Sequence, residues 1–311
     1  MDIEPLRARS GGTVILETDF CTDVDDVAAL SLLCGDARRL PGAFRIGGVS
    51  CNVKSPFVAA AVKVVMSAWG MQNVPVGVTE DDLPPSGDRS DYLDGLAARW
   101  RGPHPAADCT ARELYRRVFA GAADGSVDVI SIGFFNTLDE VLAADPALFR
   151  RKVRAVWAMA GGFGRCAGCR EFNVVGYEDA ARRFLDAWDG PIRFVGFECG
   201  ETVMTDLSGL PEECDAHPLV EAFRHHRGPA MKRSSWDPIT VDLAVEGENA
   251  CWELGPAGRV RVAADGSTPF SEDPAGNARV LRFLAPDGAV SARIGERVRA
   301  AAGLDLARAK C

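Results

Sequence analysis

Five carboxylates fall within ten residues near the start of the chain, in Glu17-Thr-Asp19-Phe-Cys-Thr-Asp23-Val-Asp25-Asp26. An apolar, β-branched run precedes them (TVIL, 13–16), and a helical pattern follows at 27–33. Like charges at this density repel one another unless something positive sits among them. A cluster of oxygen donors is what a hard cation such as Ca²⁺ takes, with several ligands at about 2.3–2.6 Å. Carboxylates are also mildly favoured at a helix N-terminus, so Asp25 and Asp26 could be caps and nothing more. Caps account for one or two acids and not for five, and the turn is therefore read as a metal site. It is not an EF-hand, because the D-x-D-x-D-G-x5-E spacing is absent.

The rest of the chain repeats the same alternation. Apolar runs at 44–50, 127–132, 153–159 and 192–197 are each followed by a turn, and most by a helical pattern: 56–69, 138–144, 179–188 and 237–246. Strands alternating with helices predict an α/β fold with a mainly parallel, open sheet covered on both faces. A late strand at 255–265 and a helix at 273–283 complete the reading. The stretch 81–105, rich in Pro, Gly, Asp and Arg, reads as a long loop with a short helix at 92–100. No repeat or linker divides the chain, so residues 1–311 are expected to form one domain. In such sheets ligands bind beyond the carboxyl ends of the strands. That rule selects the loops 17–26, 51–55, 133–137, 160–173 and 197–202.

Composition narrows the chemistry. Forty-four acidic against 35 basic side chains leave a charge of −9, which argues against nucleic acid or an anionic membrane as partner. No run approaches the ~18 apolar residues of a membrane span, and Met-Asp-Ile-Glu-Pro has no basic-then-apolar leader pattern; the chain reads as cytoplasmic. The ten cysteines are too sparse for a disulfide scaffold. Cys34, Cys51 and Cys199 sit beside apolar runs and read as small buried thiols. Cys166-Ala-Gly-Cys169 lacks the second pair that a structural zinc usually needs. Two free thiols are favoured over a metal or redox role. Only four histidines are present, His104, His217, His225 and His226. His225 and His226 fall on a polar helix and read as solvated surface rather than as catalytic acids.

Five blocks, in order, resemble the calcium-dependent nucleoside hydrolases of the inosine–uridine-preferring type. The acidic turn E-T-D-F-C-T-D-V-D-D is similar to that family's D-T-D-x-G-T-D-x-D-D. Gly47-Gly-Val-Ser-Cys-Asn52-Val resembles its second strand, Ile132-Gly-Phe-Phe-Asn136-Thr137-Leu its I-G-x-L-T-N-L turn, and Met159-Ala-Gly-Gly162 with Glu171-Phe-Asn173 its M-G-G…E-F-N. Ser235-Trp236-Asp237 resembles the late H-D or W-D motif. The resemblance implies the nucleoside hydrolase fold, Rossmann-like, and hydrolysis of the N-glycosidic bond of a ribonucleoside to ribose and free base. It implies Asp19 as metal ligand and general base for the attacking water, with Asp26, Asp237 and the main-chain carbonyl of Asn136 as further Ca²⁺ ligands. Asp25 and Asn52 would meet ribose hydroxyls, and Glu171 and Asn173 the 5′ end, on one face of an extended segment. A homodimer or homotetramer is implied as well.

Departures fall on both sides, and the most consequential is on the base side. Glu17 stands where an aspartate is usual, which would shift the metal's surroundings. Cys21 stands for a glycine, and Asn136-Thr137 reverses Thr-Asn. Trp236 holds the position where some members carry a histidine able to protonate the leaving base; an indole can only stack on the base or wall the pocket. Arg165 and Arg170 would meet an anionic leaving group or form surface ion pairs, the latter being favoured. Two alternatives stay open: hydrolysis of another ribosyl conjugate or nucleotide, and a nucleoside-binding pseudoenzyme without leaving-group activation.

Overall fold

The computed structural model describes residues 3–20, 23–84, 92–102 and 107–304. Seven strands follow one another toward the centre of the chain: β1 (Gly12–Thr18), β2 (Phe44–Cys51), β3 (Val76–Val78), β4 (Cys109–Thr110), β5 (Val127–Ser131), β6 (Val153–Met159) and β7 (Ile192–Val195). A small hairpin, β8 (Met204–Asp206) with β9 (Lys232–Ser234), stands apart. The last four are β10 (Trp252–Leu254), β11 (Gly258–Val260), β12 (Phe270–Glu272) and β13 (Ala278–Phe283).

Eleven strands make one sheet. Its parallel body runs β4-β3-β2-β1-β5-β6-β7-β13, and β10, β11 and β12 are added antiparallel at the β13 end. The chain winds outward from β1 in one direction through β2–β4, and from β5 in the other. The order therefore reverses between β1 and β5, the position where open α/β sheets bind ligands.

Successive strand residues face opposite sides. Val14 and Leu16 enter one hydrophobic cluster with the helices Asp25–Arg39, Val58–Ser67 and Trp236–Glu246, while Ile15 enters the other with Ala111–Gly121 and Glu178–Ala187. Both faces are thus covered, which is why the central strands read as continuous apolar runs rather than as alternation. Among the described residues no helix is long and apolar enough to cross a membrane.

Two late elements differ from expectation. Residues 273–283 are not a helix: Pro274 and Gly276 precede β13, which pairs parallel with β7. Its Ala278, Val280 and Leu281 are buried, and sheet pairing overrides the local helical pattern. The strand expected at 255–265 shrinks to the three residues of β11. The helix Ala111–Gly121, capped by the Thr110 side chain accepting from Glu113 N, had not been anticipated.

Candidate functional site

A cavity of about 300 Å³ opens at the carboxyl ends of β1, β5, β6 and β7. It is lined by Asp19, Asp23, Asp25, Asp26, Ile132, Met159, Glu171, Phe172, Asn173, Phe197, Arg233, Trp236 and Asp237. Seven of the nine residues expected to form the site from sequence lie on this lining. Asn52 and Asn136 do not.

The acidic turn holds its own shape. The Thr18 hydroxyl donates to Asp26 Oδ1, which also accepts from Phe20 N at 3.3 Å. Asp25 Oδ2 accepts from Asp237 N at 3.3 Å, tying the turn to the start of the helix Trp236–Glu246. Carboxylate oxygens of Asp25, Asp26 and Asp237 lie within 4.8 Å of one another, and all three residues are buried. Burial first, and then repulsion among the neighbouring aspartates, push these three carboxyls well above the ordinary carboxylate range. Three buried acids in mutual contact form a donor set that a divalent cation would neutralise. Its members differ from those implied by the resemblance: Asp25 closes the group, and Asp19 lies beside it on the same cavity wall.

Gly133 sets the spacing beneath Asp19. A Cβ there would fall 2.5 Å from Asp19 N and within 3 Å of both amide atoms of Asn52. Only glycine permits strand ends to approach this closely. Asn52 is fully buried below the cavity; its Nδ2 donates to Phe134 O at 2.8 Å, and its Oδ1 has no hydrogen-bond partner among the described residues. The Asn136 side chain turns away from the cavity, with Nδ2 donating to Asn52 O (3.0 Å) and Asp81 (2.8 Å). Its main-chain carbonyl is what remains for the implied role.

Glu171 and Asn173 form the opposite wall, though not from one extended segment. Glu171 caps the short helix Phe172–Val175, accepting from Asn173 N (2.8 Å), Val174 N (3.2 Å) and Gly161 N (3.0 Å). Burial outweighs these three N–H groups and raises its carboxyl to about 7. Asn173 Nδ2 donates to Met159 O (3.1 Å) and Ile132 O (3.3 Å), joining the ends of β5 and β6.

The far end is aromatic. Trp236 stacks on Phe197 with centroids 5.5 Å apart, and its Nε1 donates to Phe197 O at 2.8 Å. Gly200 lies flush against the indole: a Cβ there would come within 2.2 Å of it. Arg233, on β9, places its guanidinium 5.1 Å from the indole centroid and pairs with Asp23.

Two expectations, for Glu17 and His226, need correction. Glu17 does not adjoin the acid group. It points to the other sheet face, fully buried near Tyr115, Ser50 and Asn52, with both oxygens lacking a close hydrogen bond; burial raises it to about 8. Residue 17 lies one step from Thr18 along a strand, and that single step reverses the face. His226 is not solvated surface, since its Nε2 lies 3.3 Å from Asp23 Oδ1. Arg165 and Arg170 form the expected surface ion pairs, with Glu201 and Glu178, and do not line this cavity. Phe172, Phe197 and Arg233 were not anticipated as site residues, and Asp23 was counted only among the acids of the turn, with no role of its own. Arg233 stands three residues before Trp236, but no periodicity marks it. Cys21 lies outside the described residues.

No family model matches the sequence, and no curated protein matches it. Solved structures do match. The type III effector XopQ, complexed with adenosine diphosphate ribose, superposes with a TM-score of 0.71 at 16% identity over 95% of this chain and 96% of its own. The inosine–uridine-preferring nucleoside hydrolase of Bacillus anthracis gives 0.68 at 15% identity over 94% and 99%. A plant nucleoside hydrolase gives 0.65 at 18% identity over 92% and 98%. The fold of this chain is the nucleoside hydrolase fold.

Proposed function

We propose that the chain is a metal-dependent N-ribohydrolase that cleaves the N-glycosidic bond of a ribonucleoside, purine or modified. The observation that carries this reading is one cavity, at the reversal of strand order, with Asp19 and the group Asp25, Asp26 and Asp237 on one wall and Glu171 and Asn173 on the other. The donor chemistry fits Ca²⁺, because every member is a carboxylate oxygen and the set is short of positive charge. When bound, such an ion lowers the pKa of a coordinated water and orients it.

The chain's own residues do the rest. Asp19 accepts the proton of the attacking water. Asp25 holds the ribose hydroxyls, and Asn52, expected beside it, supports the floor from beneath, being fully buried and off the cavity lining. Glu171 and Asn173 fix the 5′ end. The surrounding carboxylates stabilise positive charge developing at the anomeric carbon, and the aromatic end receives the base.

A second reading takes a larger ribosyl conjugate. It is supported by the ADP-ribose complex of the effector and by a neighbouring cavity of about 870 Å³ lined in part by Arg165 and Arg282. Turnover of inosine and of p-nitrophenyl riboside, with and without chelator, tests the main reading. Hydrolysis of either, lost on chelation, is the expected result. Inactivity on both with retained Ca²⁺-dependent ribose binding would replace the enzyme by a pseudoenzyme.

A further inference from the structure

The reaction leaves one demand unmet by the residues assigned so far. When the C1′–N bond breaks, its electron pair moves onto the base, and negative charge must be received there. Trp236 occupies the position nearest that end, and its single N–H is already donated to Phe197 O. An indole N–H is a hydrogen-bond donor and not an acid, so Trp236 cannot protonate the leaving base.

Arg233 is the one cation on the cavity lining, among the described residues. Its placement is over-determined. Nε donates to both carboxylate oxygens of Asp23, at 2.8 and 2.7 Å, and Nη2 donates to Oδ2. Nη1 makes no hydrogen bond among the described residues. The guanidinium also lies over the Trp236 ring, a geometry that suits arginine and not lysine. Asp23 is itself anchored: its Oδ1 accepts from Val24 N at 2.6 Å, its carbonyl accepts from the Tyr92 hydroxyl at 2.7 Å, and His226 stands beside it. The pair is therefore a fixed ionic clamp, with one face of the guanidinium on the indole and Nη1 left over.

We propose that Arg233 is the leaving-group residue of this site, stabilising the departing base as an anion, and that the substrates are nucleosides whose base carries a hydrogen-bond acceptor on its edge, as oxopurines do. The inference rests on the N-ribohydrolase reading above. The water oxygen bonds to C1′ and its proton passes to Asp19. The C1′–N pair goes to the base, which leaves as an anion held by the guanidinium. After release the base takes a proton from solvent, and Asp19 returns its proton to solvent. A preorganised donor aimed at developing charge in a site that excludes water is worth far more than in bulk solution.

The test compares wild type with R233Q and R233K on two substrates of unequal leaving ability, inosine and p-nitrophenyl riboside. A nitrophenolate needs little help to depart, whereas the purine needs much. R233Q is expected to lower kcat on inosine by about 10²-fold, at least tenfold more than on p-nitrophenyl riboside, with R233K between. D23N, which frees the guanidinium from its clamp, is expected to show the same leaving-group bias more weakly. Losses on the two substrates that differ by less than tenfold would overturn the proposal and leave Arg233 a structural partner of Asp23. Wild-type inactivity on both substrates would overturn the hydrolase reading itself, and this inference with it.

Discussion

The two ends of the cavity are built in different ways. The acidic end comes from one short stretch between the close of β1 and the start of the helix Asp25–Arg39, joined by one aspartate from the helix Trp236–Glu246, and its members are buried and tied by main-chain hydrogen bonds. The aromatic end is assembled from segments far apart in the chain: Phe172, Phe197, and Arg233 with Trp236. There, single contacts fix each side chain, such as the indole against Gly200 and the guanidinium on Asp23. On the proposed reading, the acidic end would answer to the ribose, which every nucleoside shares, and the aromatic end to the base, which varies. A rigid, local device would then serve the constant part of the substrate, and a collected one the variable part.

The largest expected effect separates the ends cleanly. Asp19→Ala should lower kcat by about 10³- to 10⁴-fold on inosine and p-nitrophenyl riboside alike, since the proton of water must be taken whatever the leaving group. Steady-state kinetics on both substrates checks this, and a bias toward one would blur the division. Next, Asp26→Asn and Asp237→Asn should weaken Ca²⁺ binding by ~10-fold or more, because carboxylate charge count sets affinity in such sites; titration calorimetry reads it. Gly200→Ala attacks the other end. It pushes on the indole at a cost of about 1–3 kcal/mol of stability for overpacking. It should raise KM for inosine while Ca²⁺ affinity stays within twofold of wild type; a change in Ca²⁺ affinity would show the ends to be coupled.

The smallest effect concerns the floor beneath the acidic end. Glu17 has an ordinary carboxyl value of 4.5 and is raised by burial to about 8 in the folded chain. The folded state therefore keeps a proton that the unfolded chain has lost between those values. Its contribution to stability is present below about pH 4.5 and disappears as pH rises through 8. Glu17→Gln removes that dependence. The variant should gain in melting temperature relative to wild type from pH 5 to pH 9, and a constant difference across the range would assign Glu17 a different protonation state.

The same contrast explains what was legible in the sequence. The central strands were readable because burial on both faces makes them short, continuous apolar runs, as in VDVIS and VRAVWAM. Asp19, Asp25 and Asp26 were readable because five acids in one turn are expensive without a cation. Glu17 and Asp23 were counted with them, yet one lies on the far sheet face and the other is neutralised by an arginine 210 positions away. Charge density marks a site without saying which carboxyls enter it. Arg233 and Phe197 carried no signal, because their roles arise from where β9 and the turn after β7 come to rest. The helix expected at 273–283 failed for a related reason. Its residues satisfy a local pattern, but β7 offers an open edge, and pairing there decided the outcome.

The central claim is that cleavage at this cavity depends on a divalent cation held in the acidic group, with Asp26 and Asp237 among its ligands. It is tested most directly by stripping the purified protein exhaustively with chelator, assaying p-nitrophenyl riboside hydrolysis, and then adding Ca²⁺ back. The account predicts turnover lost on stripping and restored by Ca²⁺, with no restoration in Asp237→Asn at the same concentration. Undiminished turnover by the stripped wild-type protein would contradict it.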